Sequence, residues 1–70
     1  MPKVYADVTG SVWKVEAVVG QAVAEGDTLV IVESMKMEIP VCAPGAGVVR
    51  AVLVAEGDTV TDDQVVVEIG

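Results

Sequence analysis

The stretch TLVIVESMKMEIPVC, residues 28–42, sets two apolar runs on either side of a lysine that stands between two methionines. The β-branched residues that dominate both runs lose side-chain freedom in a helix and suit a pleated sheet. Strands are therefore expected over 28–34 and 37–42. If they are antiparallel neighbours, Met35 and Lys36 form the whole connection, with Lys36 at its tip. Tight hairpins of this length need positive φ at both central residues and favour Asn-Gly or Asp-Gly. Met-Lys is a poor sequence for that turn. Either the turn is of another type, or these side chains serve a purpose that outweighs a backbone strain of about 1–3 kcal/mol.

Outward from this hairpin the chain repeats itself. An offset of 37 positions places Gly10 on Gly47, Val12 on Val49, Val15 on Val52, Gly20 on Gly57 and Val23 on Val60. It also places Leu29, Val30 and Val32 on Val66, Val67 and Ile69. One copy alone would leave its apolar face open, whereas two copies can cover each other. The tetrapeptide EGDT occurs at 25–28 and again at 56–59, each time ahead of β-branched residues, as turns that feed strands do. Further strands are expected over 3–6, 11–18, 47–54 and 64–69, with shorter pieces around Val23 and Val60. Helix is disfavoured, because glycine or proline recurs along the chain and β-branched residues fill the intervals. The expected fold is all-β: a flattened barrel or sandwich of two sheets.

Composition agrees. Hydrophobic residues make up 53% of the 70, aromatics only 3%, so one small core must be built from branched aliphatic side chains within a single domain, 1–70. The apolar runs TLVIV and QVVVEI would be aggregation hazards if exposed, and Asp27, Glu33, Asp62, Asp63 and Glu68 read as charges that blunt their ends. A net charge of -7 repels phosphate backbones and anionic lipid, which argues against nucleic acid or membrane as partner. With one cysteine and no histidine, neither an internal disulfide nor a zinc site is expected. No apolar run has the length of a signal peptide or a membrane span, and a cytoplasmic location is expected.

A lone lysine on a surface turn is ordinarily a solvated charge, and methionine is ordinarily core filler. Lys36 differs because Met35 and Met37 flank it directly and because it falls just past Glu33, the residue that the offset places on Gly70, at the seam between the copies. Displayed in this way, its amine could attack an activated acyl group supplied by a partner enzyme that also accepts the proton. The thioethers of Met35 and Met37 offer an adaptable apolar surface for that partner to grip.

These residues carry a resemblance. Ser34-Met35-Lys36-Met37, within ESMKME at 33–38, resembles the Ala/Ser-Met-Lys-Met biotinylation motif of the biotin/lipoyl attachment family. The flanking EGDTLVIVESMKMEIPVCAPGAGVV and the following GVVRAVLVAEGDTV are similar to the segments around that motif, so the likeness covers nearly the whole chain. Lys36 also lies 34 positions before Gly70, similar to the spacing in such carriers. The resemblance implies two four-stranded antiparallel sheets with quasi-two-fold symmetry and the target lysine on a hairpin tip. It implies biotin on Lys36, attached by a biotin protein ligase through biotinyl-AMP. It further implies a non-catalytic carrier that shuttles a carboxyl group between a biotin carboxylase and a carboxyltransferase. Lipoyl domains share the fold but typically carry Asp-Lys-Ala at the tip, so Met-Lys-Met favours biotin, with lipoate as the alternative cofactor on the same lysine. An unmodified β interaction module is the third reading. The first half lacks the protruding thumb segment of many bacterial acetyl-CoA carboxylase carriers.

Glu33 and Glu38, like Ser34, either contact the ligase or keep the hairpin soluble. Cys42 is expected to be a half-buried small hydrophobe without chemistry. Gly45 and Gly47 are expected to serve a tight turn. Trp13 is expected to be partly exposed, since its mate in the repeat is Arg50.

Overall fold

Valine at alternate positions makes strands, and in a chain with so little aromatic volume the strands must close on one another at short range. The computed structural model describes residues 3–70. Its elements are β1 (Lys3–Tyr5), β2 (Gly10–Val15), β3 (Ala22–Val23), β4 (Thr28–Ser34), β5 (Met37–Cys42), β6 (Gly47–Val52), β7 (Thr59–Val60) and β8 (Val65–Ile69), with no helix among the described residues. They form two four-stranded antiparallel sheets, ordered β1-β8-β6-β3 and β5-β4-β2-β7. The offset of 37 carries the first order onto the second, strand for strand. Each sheet takes two strands from each copy, so the copies are interleaved rather than stacked side by side.

The core obeys the same rule. Among the described residues, every buried apolar residue has its mate buried: Val4 with Val41, Ala6 with Ala43, Val12 with Val49, Ala17 with Val54, Val23 with Val60, Leu29 with Val66, Val30 with Val67, and Val32 with Ile69. Each fully buried valine contributes about 1.5 kcal/mol or more relative to exposure, so stability is a sum of many small burials. No polar or charged residue is buried among the described residues.

Irregularities are duplicated too. Between β4 and β5 the register shifts at Leu29, which lets the consecutive residues Leu29 and Val30 both face inward; Val66 and Val67 do the same where β8 meets β1. In β2 the extra residue is Trp13, which the bulge turns outward to 49% exposure, and in β6 it is the mate Arg50. The expected strand over 11–18 stops at Val15, where the N–H groups of Glu16 and Ala17 both donate to the Leu29 carbonyl, each at 2.9 Å, and regular pairing ends. The strand expected over 47–54 likewise ends at Val52.

Four turns share one construction. In 18–21, 24–27, 55–58 and 61–64 the fourth residue's N–H donates to the first residue's carbonyl at 3.0–3.1 Å. The fourth side chain, Gln21, Asp27, Asp58 or Gln64, accepts from the first residue's N–H at 2.9–3.1 Å. The third residue has positive φ: 91° at Gly20, 90° at Gly26, 90° at Gly57 and 69° at Asp63. Positive φ at that position is the mark of a type II turn, where glycine is favoured. EGDT therefore repeats because two of these turns use the same residues, not because they are mates: they lie 31 positions apart (56 − 25), not 37. Asp27 closes one of these turns with its side chain and Asp63 supplies the positive φ of another, roles other than the end-blunting charge expected of them.

Two expectations need correction. Cys42 is exposed rather than half-buried: β5 alternates, Val41 points into the core, and Cys42 therefore points out, as does its mate Tyr5. Gly47 begins β6 and has no positive φ; it is small because a Cβ there would come within 2.5 Å of Ile69 Cγ2.

Candidate functional site

β4 and β5 are paired along their length, from Thr28 opposite Cys42 to Ser34 opposite Met37, which leaves Met35 and Lys36 as the connection. Their φ angles are 53° and 66°. Positive φ at both central residues is the type I′ hairpin that matches the twist of the flanking strands. The turn is thus the tight form, and the strained alternative raised by the sequence is the one realised. Two L-residues in the left-handed region cost about 1–2 kcal/mol each.

On β4 the buried core ends at Val32, and of the residues from Glu33 to Glu38 all but Ser34 are exposed. Ser34 is half-buried, Lys36 is exposed, and Met35 and Met37 are exposed to 93% and 64%. A methionine contributes to a core only by leaving water, so Met35 has no packing role in this state. Among the described residues the ion pair found is Lys14 Nζ to Glu16 Oε1 at 3.5 Å, and none involves Lys36. The hairpin therefore presents a primary amine without a charged partner, between two apolar side chains that nothing covers.

One pair back from Ser34 and Met37, Glu33 and Glu38 face each other directly, and both are exposed. Like charges at opposed positions destabilise a sheet, and no cation among the described residues relieves this pair. The structure thus brings all six residues singled out in the sequence, Glu33 to Glu38, onto one projecting tip. Two cavities, one lined by Pro44, Gly45, Ala46 and Ile69 and one by Lys3, Val4, Tyr5, Asp7, Val41, Cys42 and Pro44, lie at the other end of β5. No cluster of three or more His, Cys, Asp or Glu suited to a metal occurs among the described residues. The tip offers an amine and an apolar surface on either side of it.

One contributor was not read from the sequence as part of the site. Gly10 of β2 lies against the hairpin root, where a Cβ would run into the Glu33 carbonyl oxygen. Its alignment with Gly47 was the available signal, since a pair of glycine mates inside strands marks close approach.

Residues 1–69 match the biotin/lipoyl family described as "Biotin-requiring enzyme". The chain is 40% identical over 62 residues to a biotin/lipoyl attachment protein of Bacillus subtilis, covering 89% of this chain and 85% of that one. It is 47% identical over 57 residues to a biotinylated protein TB7.3 homolog of Mycobacterium leprae, covering 81% and 80%. Its fold superposes on a urea carboxylase of Kluyveromyces lactis with a TM-score of 0.94 and 38% identity, covering 99% of this chain but 6% of that large enzyme. Interleaved sheets, a lysine on a strained hairpin and these likenesses have one reading: the chain belongs to the biotin/lipoyl attachment family and is a non-catalytic biotin carrier domain.

Proposed function

We propose that Lys36 is the residue that carries biotin, and that the domain moves a carboxyl group between the biotin carboxylase and carboxyltransferase sites of a biotin-dependent carboxylase. The observation that carries this reading is the exposed amine of Lys36 at the apex of a positive-φ turn between exposed Met35 and Met37. These residues fit a tethered group: the amine is accessible, has no ion-pair partner among the described residues, and stands beyond the last core residue. Bound biotin would supply a ureido nitrogen able to take up and release a carboxyl group.

The chain's own part is attachment and display. A biotin protein ligase presents biotinyl-AMP; the Nζ lone pair forms the amide bond to the acyl carbon, the acyl–phosphate bond breaks, AMP leaves with the electron pair, and the amine's proton passes to a base on the ligase. Met35 and Met37 dock in the ligase and orient the amine, and Ser34, Glu33 and Glu38 frame it. Unrelieved repulsion between Glu33 and Glu38 becomes useful if the ligase brings cationic groups to that face.

Intact-mass measurement of the protein after co-expression with a biotin protein ligase tests this. One biotinyl group is expected on the wild type and none on Lys36→Arg, because a guanidinium keeps the charge but is not a nucleophile under these conditions. An octanoyl or lipoyl mass would replace biotin with lipoate on the same residue. A bare Lys36 would leave an interaction module.

A further inference from the structure

We propose that Gly10 is a positioning residue for Lys36: its missing side chain lets β4 lie close against β2 at the hairpin root and so sets where the tip points. The inference rests on the reading that Lys36 is the modified residue.

Gly10 does not have positive φ, so it is not required for backbone freedom. It is required for space. A Cβ built there would overlap the Glu33 carbonyl oxygen and would lie 3.0 Å from Val32 Cγ1 and 3.1 Å from the Glu33 carbonyl carbon. Two of these three atoms are backbone, and they belong to the residue just before the pair that closes the turn. Ser11, next in β2, is the register partner of Glu33, so crowding at position 10 acts on the ladder that holds the hairpin to its sheet. Lys36 lies three residues beyond Glu33, across the tight turn and at the free end of the hairpin, so a tilt at the root is carried to the amine.

Gly47 supplies the comparison that separates aiming from mere packing. It is the mate of Gly10 and begins the equivalent strand, and a Cβ there would also crowd a neighbour. That neighbour is the Ile69 Cγ2 methyl at 2.5 Å, on a stiff, buried side chain whose crowding costs stability, while the nearest backbone atom, the Gly70 carbonyl oxygen, is at an ordinary 3.5 Å. The same substitution at the two mates therefore moves backbone beneath the hairpin in one case and a methyl group away from it in the other.

The test compares the full 70-residue chain as wild type, Gly10→Ala, Gly47→Ala, Val32→Ala and the double variant Gly10→Ala/Val32→Ala. Thermal midpoints are recorded, and biotinylation of Lys36 by a biotin protein ligase is measured at a temperature where each variant is folded. Gly10→Ala is expected to lower kcat by about tenfold or more, the amine being misplaced by a fraction of an ångström to an ångström relative to the acyl donor. Its reaction with a small N-hydroxysuccinimide ester should be unchanged, since that reagent needs no docking. Gly47→Ala is expected to biotinylate like the wild type whatever its thermal midpoint. If Gly10→Ala does not fold, the double variant removes the Val32 contact and is compared with Val32→Ala alone, with the same expected loss. Equal losses in Gly10→Ala and Gly47→Ala, a Gly10→Ala rate equal to wild type, or failure of both position-10 variants to fold would overturn the assignment. A wild type that takes no biotin overturns the Lys36 reading itself and this inference with it.

Discussion

The root of the β4–β5 hairpin and its mate, where β8 meets β1, are built alike and used differently. Each inner strand carries, at its far end, a register shift beside a buried pair of apolar residues, and each has a glycine of the neighbouring strand pressed against it. At the hairpin the glycine faces backbone and the strands run on into an exposed turn; at the mate it faces a methyl group. Pairs that differ in chemistry, among them Trp13 with Arg50, Glu16 with Leu53, Val19 with Glu56, Tyr5 with Cys42 and the half-buried Ile31 with Glu68, lie outside the buried core. Packing fixes volume inside, so mates there must be similar. The surface is where the copies could diverge, and the hairpin tip, 34–37, lies between them.

Substitutions at mates break or sharpen this comparison. Leu29→Ala removes the larger of two equivalent buried side chains and is expected to cost about 2–5 kcal/mol, whereas Val66→Ala should cost less, near two methylenes and the cavity they leave. Urea denaturation at matched m-values checks both, and equal costs would mean that the two core positions are not equivalent. Gly26 and Asp63 are mates with φ of 90° and 69°, so Gly26→Asp should lose about 1 kcal/mol and Asp63→Gly should gain up to about that much. Thermal midpoints moving in the same direction for both would show that φ does not govern these turns.

Smaller effects probe the tip. Glu38→Lys converts a directly opposed like-charge pair into an opposite-charge pair and should stabilise by about 0.2–1 kcal/mol, less at high salt. A gain that survives 1 M salt would need another cause. Met35→Leu and Met37→Leu should leave the thermal midpoint almost unchanged while slowing attachment or transfer of the carried group. A clear loss of stability would mean that these side chains are packed against something.

Much of this was legible in the sequence because it is written in period and repetition. The offset of 37 gave the quasi-symmetry, the alternating valines the strands, and Met35-Lys36-Met37 the tip. What was hidden depends on proximity in space. Asp63 does the work of a turn glycine without being one, which becomes visible only beside Gly26. The end of the strand after Val15 coincides with a Leu29 carbonyl shared by two donors, and Gly10 acquires its meaning only when Glu33 is seen lying over it. Cys42 was misjudged because alternation, not residue type, decides which way a strand residue points.

The two legs of the hairpin belong to different copies, and each copy lends strands to both sheets. A pull on the tip is therefore shared by the entire framework from its first moment, with no subunit-like part able to peel off while the remainder holds. The hairpin that holds Lys36 should lose its place only when the domain melts as a whole.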